Sequence, residues 1–246
     1  LFSLKGVVSK LAFAEGIRVC QLLTRRMGFA LPVYLAIGVI AFMRTKQRPA
    51  TRYFLMAGGL GLMSYYFSSW LNFEGLRYVS AQLERLILYI YPTIVALLAW
   101  IFLKERITAR HILALLLAYL GVAILFGAEI GHQGPNAWLG GGLIFAGAFI
   151  YAIYVTASKP IITKMGSTLF TAFGMSVASI AFLTQSGIEM ALHAPPPVTA
   201  NGYWLALTLA IFCTVIPSFM IAAAIGRIGP GPTSAVGGVG PVVAAW

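Results

Sequence analysis

Glu84 and Arg85 stand side by side in the stretch Leu76 to Thr108, LRYVSAQLERLILYIYPTIVALLAWIFLKERIT, which holds more chemistry than any other part of the chain. An ionisable side chain near the centre of a bilayer costs about 2.5 to 3.5 kcal/mol, so it normally faces a polar cavity or a partner. A carboxylate next to a guanidinium in such a place could orient a zwitterionic solute or carry a proton. The structural alternative is an Arg85 that snorkels to the headgroups and a Glu84 tied to a neighbouring helix. Pro92 has no N–H to donate to the Leu88 carbonyl and should loosen that turn, making it a candidate hinge. Tyr66, Trp70, Asn72, Tyr89, Tyr151 and Tyr154 combine apolar bodies with polar tips, which suits a cavity for an amphipathic ligand.

Reaction chemistry finds little support. The sequence has no Asp, and His111, His132 and His193 are too dispersed to suggest a metal cluster. H-E-x-x-H, G-x-S-x-G and P-loop motifs are absent. No catalytic residue, metal or cofactor is assigned, and the chain is not read as an enzyme. Cys20 and Cys213 make neither a disulfide framework nor a metal motif.

The elements that must position these residues are set by composition. Hydrophobic residues make up 60% and charged residues 9% of the 246, with a mean hydropathy of +0.89. Soluble domains carry about 25% charged residues. The apolar runs are continuous, as in Ile112 to Phe126, which points to spanning helices rather than a β-barrel. The reading is an all-α polytopic membrane protein. Spans are expected at Leu1–Ala14, Phe29–Met43, Tyr53–Leu71, Val79–Leu103, Ile107–Phe126, Leu139–Ala157, Thr168–Leu192, Tyr203–Ile225 and Thr233–Trp246. Trp138, Tyr203 and Trp204 are expected as interface anchors, and Lys10 and Lys159 as snorkelling residues at span ends. The formal net charge of +11 comes from short loops without an aromatic-laced patch, so it points to anionic lipid headgroups and not to nucleic acid.

Displacing the chain by 149 residues brings Ser9-Lys10 onto Ser158-Lys159, Gly38 onto Gly187, Ser69-Trp70 onto Ser218-Phe219 and Pro92 onto Pro241. Apolar spans and polar breaks share this register, as in internally duplicated transporters. Pro241 thereby becomes a second hinge candidate. Five spans per copy is an odd number, so the copies should enter the bilayer from opposite sides. Inner loops would hold ten Lys or Arg against four in the outer loops, which places the amino end in the cytoplasm. The first copy occupies residues 1–127, with its first helix incomplete, and the second 138–246, with its ninth helix cut short. By the same register the second copy should reach about residue 275 and include a tenth span, so this chain is expected to carry about nine.

Ser80-Ala81, then Pro92, then an apolar run ending in Leu103, Glu105 and Arg106, followed by a helix with a late Gly121, resembles the drug/metabolite transporter superfamily, EamA type. Gly229-Pro230 and Pro241 begin the same phrase in the second copy. Arg26, in TRRMGFALP, resembles the Arg this family often places at the start of its second helix. The resemblance covers essentially the whole chain. It implies two inverted five-helix repeats around a central cavity and carrier-type movement, usually export, of small metabolites such as amino acids, with possible proton or ion coupling, in a bacterial plasma membrane. A membrane-embedded binding or scaffold protein, or a channel, is the alternative of a different class.

Overall fold

In the computed structural model, the structure describes residues 4–17, 19–45, 48–104, 112–113, 116, 120, 134–192 and 199–237. Among these residues it is all-helical. The helices are α1 (Leu4–Ala14), α2 (Val19–Arg44), α3 (Thr51–Gly61), α4 (Ser69–Gly75), α5 (Ala81–Leu88), α6 (Tyr91–Leu103), α7 (Ala137–Met165), α8 (Ser167–Leu192), α9 (Ala200–Ala210), α10 (Ile216–Ile228) and α11 (Pro230–Gly237). Two π-helical segments are inserted without a break, Leu62–Ser68 between α3 and α4, and Ile211–Val215 between α9 and α10. Among the described residues, five stretches are long and apolar enough to cross a membrane: Val19–Arg44, Ala81–Leu103, Ala137–Met165, Ser167–Ile188 and Ala200–Ile228. Large apolar side chains on their outer faces are exposed, as lipid contact requires; Phe102, Trp138, Trp204 and Met220 are among them.

Several bounds differ from the sequence expectation. The helix expected at Phe29 begins at Val19, so Cys20, Arg25 and Arg26 are helical rather than in an outer loop. Protein contacts make this possible: Arg26 is buried, and Arg25 donates to the Gln21 carbonyl at 3.1 Å and lies over the Tyr203 ring. Lys159 likewise lies inside α7, which runs through Pro160 to Met165 instead of stopping at Ala157. The span expected from Val79 is interrupted. Ser80 caps α5 by accepting from the Leu83 N–H at 3.0 Å, α5 closes at Leu88, and α6 restarts with Pro92 in its first turn, where a missing N–H does no harm. Most of the fifth expected span and the end of the ninth lie outside the described residues.

The element bounds keep the register of the sequence. α3 and α9, the two π-helical segments, and α5 and α11 each start 149 residues apart. The packing repeats as well: α2 lies along α8, α3 packs on α8, and α9 packs on α2.

Backbone contact sets how close these helices come. A Cβ on Gly61 would lie 2.2 Å from the Gly174 carbonyl oxygen, and one on Gly75 would lie 2.7 Å from that of Gly140. Only glycine fits there, and in lipid such crossings supply association through dispersion. Gly61→Val should force α3 off α8 and lower the thermal midpoint in detergent by an amount equivalent to about 1–3 kcal/mol or more. Gly142 meets nothing within 4 Å, so Gly142→Ala should stay within about 1 kcal/mol of wild type in the same melt.

Candidate functional site

The candidate site grows from α7, where Tyr151 and Tyr154 are three residues apart and therefore share a face. Their ring centroids are 5.5 Å apart. The Leu62–Ser68 π-helical segment brings Tyr65 edge-on to both, at 6.4 Å and 5.6 Å. Tyr91, at the start of α6, packs on Tyr151 at 5.5 Å, and Phe170 of α8 stacks on Tyr154 at 6.1 Å. The rings fill space as a core does, but their tips are polar. The buried hydroxyls of Tyr65, Tyr151 and Tyr154 lie close enough to interact, Tyr65 with each of the other two, while Ser64 Oγ and Thr171 Oγ1 lack a hydrogen-bond partner. Groups of this kind cost about 1–3 kcal/mol each unless something pairs with them.

Tyr34 of α2 shows the satisfied version. Its hydroxyl is 3.0 Å from Ser218 Oγ of α10. The single Ser218 proton is committed to the Val215 carbonyl at 2.8 Å, so Tyr34 is the donor.

Arg26 of α2 borders this region. It is 3% exposed, with Cζ 5.0 Å from the centroid of the Phe73 ring, and within electrostatic reach of Tyr34, Tyr65 and Cys213. Its neighbours thus include residues from both π-helical segments, a type of helix irregularity that recurs at functional sites. Burying a guanidinium costs several kcal/mol, whereas a desolvated cation–π contact returns about 2 kcal/mol, so Phe73 alone leaves the charge under-compensated. Neither Nε nor Nη2 has a hydrogen-bond partner.

The sequence candidates divide between this region and another. Tyr151 and Tyr154 are at its centre. Tyr66 lies at its side, donating to Gln185 Oε1 at 2.8 Å and packing on Phe182 at 4.6 Å. Asn72 is buried where α4 crosses α7 near Gly147. Glu84, 1% exposed, forms a second polar group with Arg85 and Lys10, both within electrostatic reach of it, where α1 meets α5. Tyr89 is half-buried at the end of α5 and takes no part in the tyrosine ring contacts. Trp70 is 38% exposed and is not brought to the tyrosines. Pro92 marks the α5–α6 break, while Pro241 lies outside the described residues. Among the described residues, no three of His, Cys, Asp and Glu gather as metal ligands.

Sequence reasoning missed Tyr34, Tyr65 and Tyr91 and gave Arg26 no site role. Tyr65 was legible only as half of a Tyr65-Tyr66 pair, because the choice between them depends on a π-helical turn. Arg26 was obscured by the neighbouring Arg25, which made the pair resemble loop.

Comparison with known proteins gives a consistent result. A family model described as the EamA-like transporter family matches residues 1–127, and one described as Solute carrier family 35 matches residues 69–221. The chain is 27% identical to the uncharacterized transporter YcbK of Bacillus subtilis (strain 168), across 98% of this chain and 78% of that protein. It is 25% identical to the uncharacterized transporter YyaM of the same organism, across 89% of this chain and 72% of that one. A crystal structure titled only as that of a protein superposes with a TM-score of 0.69 at 19% identity, covering 98% of this chain and 85% of the other, which shows a shared fold.

The Tyr34–Ser218 contact yields an asymmetric pair of variants. Tyr34→Phe removes a donor and leaves Ser218 bonded to Val215, so it should cost about 0.5–1.5 kcal/mol. Ser218→Ala strands a buried phenol and should cost about 1–3 kcal/mol in the same detergent melt.

Proposed function

Because the chain belongs to the EamA-like transporter family and is a multi-pass membrane protein, we propose that it is a secondary carrier which exports small organic metabolites, such as amino acids, by alternating access. On this reading two five-helix halves of opposite polarity, residues 1–127 and 138–246, rock about a midplane cavity. The observation that carries it is the register of the irregularities: the starts of α3, the π-helical segment and α5 recur 149 residues on as those of α9, the second π-helical segment and α11, and the packing of α3 on α8 recurs as α9 on α2 with the copies exchanged. Two copies related in this way can exchange conformations at little difference in energy, as alternating access demands.

The tyrosine group and Arg26 are the parts of the cavity suited to bind, with apolar faces for a solute body and polar tips for its ends. Glu84 and Arg85 are assigned to orient a charged solute or to carry a coupling proton; the burial of Glu84 beside half-buried Arg85 and Lys10, near the start of a broken helix, supports this. The break at Tyr89–Ile90, before Pro92, is assigned the hinge of that helix, with Pro241 in the corresponding role. The distribution of Lys and Arg supports a cytoplasmic amino end in a bacterial plasma membrane.

Full-length protein in liposomes should show saturable solute uptake and counterflow. Glu84→Gln combined with Arg85→Ala should reduce initial flux roughly tenfold or more. Unchanged flux in that variant would remove the pair from the mechanism. Ionic conductance without saturation would make the protein a channel, and lack of flux for every solute in a broad metabolite screen would leave a binding or scaffold role.

A further inference from the structure

Nε and Nη2 of Arg26 lie on the same edge of the guanidinium, where their N–H bonds run side by side. That edge fits the two oxygens of a carboxylate, or two of a phosphate. Here it is buried, and both nitrogens lack a partner. Arginine keeps its charge in a protein, so neutralisation does not relieve the site. The carboxylates whose side chains are described are engaged elsewhere. Glu15 accepts from Thr199, Glu74 pairs with Arg77, and Glu84 faces Lys10 and Arg85.

The duplication supplies a control. The counterpart of Arg26 at the 149-residue offset is Met175, buried to 1% exposure in α8. A thioether therefore serves the same packing position in the other copy, and the charge in the first copy is not a requirement of the architecture. A feature present in one copy only is expected where a duplicated frame binds an asymmetric solute.

We propose that this edge of Arg26 is the anchoring subsite for an anionic group of the transported solute, with the Tyr65 hydroxyl as a further donor and the faces of Tyr65, Tyr151 and Tyr154 taking an apolar or aromatic body. The edge is sealed in this conformation and opens only as the two halves part, so the inference rests on the carrier reading. The solute class is then small organic acids or zwitterions, bound through carboxylate or phosphate.

The test uses full-length protein in lipid-free neutral detergent, with phenylacetate, its uncharged isostere phenylacetamide, and inorganic phosphate as calorimetric probes. Wild type should bind phenylacetate at least about thirtyfold more tightly than the amide, with phosphate competing. Arg26→Lys, which keeps charge but loses the paired edge, should fall in between, and Arg26→Met should abolish the preference while its thermal midpoint holds or rises. Equal binding of acid and amide, an Arg26→Met variant that binds phenylacetate like wild type, or a wild type that binds neither anion would each overturn the subsite. If Arg26→Met does not fold, the acid–amide ratio and Arg26→Lys decide the matter. Flux separates the two levels of the argument: carboxylate-dependent binding without counterflow sinks the carrier reading but keeps the subsite, whereas counterflow confined to uncharged solutes does the reverse.

Discussion

The close approach of backbone to backbone at Gly61 and Gly174 fixes the rest of the arrangement. In hydrocarbon, helices gain nothing from burying apolar side chains against each other instead of against lipid, so association depends on close fit. With α3 held against α8 at Gly61, the chain enters the π-helical segment at Leu62, the very next residue. The wider turn then determines which side chains face the protein. The buried stripe runs through Ala57, Gly61, Tyr65, Ser68, Asn72 and Leu76, a slower repeat than the 3.6 residues of an α-helix. Tyr65 on that stripe meets Tyr151 and Tyr154, and Ser68 reaches the Gly147 carbonyl at 2.7 Å.

The interior that results is aromatic in its packing and polar in its detail. Tyr34 and Tyr66 have found acceptors across the molecule, on Ser218 and Gln185. The hydroxyls of Tyr65, Tyr151 and Tyr154 face one another, and Nε and Nη2 of Arg26 stay unmatched. A core chosen for stability alone would place phenylalanine and methionine at such positions, as Phe170 and Met175 in α8 illustrate. The unmatched edge of Arg26, reached by residues of both π-helical segments, is what the proposed anionic solute would satisfy.

Composition and continuous apolar runs made the helical membrane class legible, and the 149-residue displacement recovered the register that element bounds later followed. Tyr151 and Tyr154, chosen in sequence for their apolar bodies and polar tips, share a face because α7 is regular and they are three residues apart. The rest was hidden for identifiable reasons. A π-helical turn has no local residue code, so choosing Tyr66 and Trp70 for their apolar bodies and polar tips left Tyr65 and Ser68 unnoticed. A charge buried by tertiary contact looks in sequence like the end of a span, which is why α2 was started ten residues late at Phe29 rather than Val19.

On the carrier reading, the contacts that join the copies fall into two kinds with different mechanical meaning. Gly61 against Gly174 and Gly75 against Gly140 are smooth backbone crossings, and dispersion changes little when such surfaces pivot. Tyr34–Ser218, Tyr66–Gln185 and Ser68–Gly147 are directional and fail within about an ångström of displacement. Each is worth only about 0.5–1.5 kcal/mol net, so together they form a latch of a few kcal/mol. A ligand moves such an equilibrium only by its difference in affinity between the two states, and a few kcal/mol is within reach of one well-placed charge pair. The crossings can therefore act as pivots that persist while the hydrogen bonds release, and a solute that satisfies Arg26 in one state supplies free energy on the scale that the latch requires.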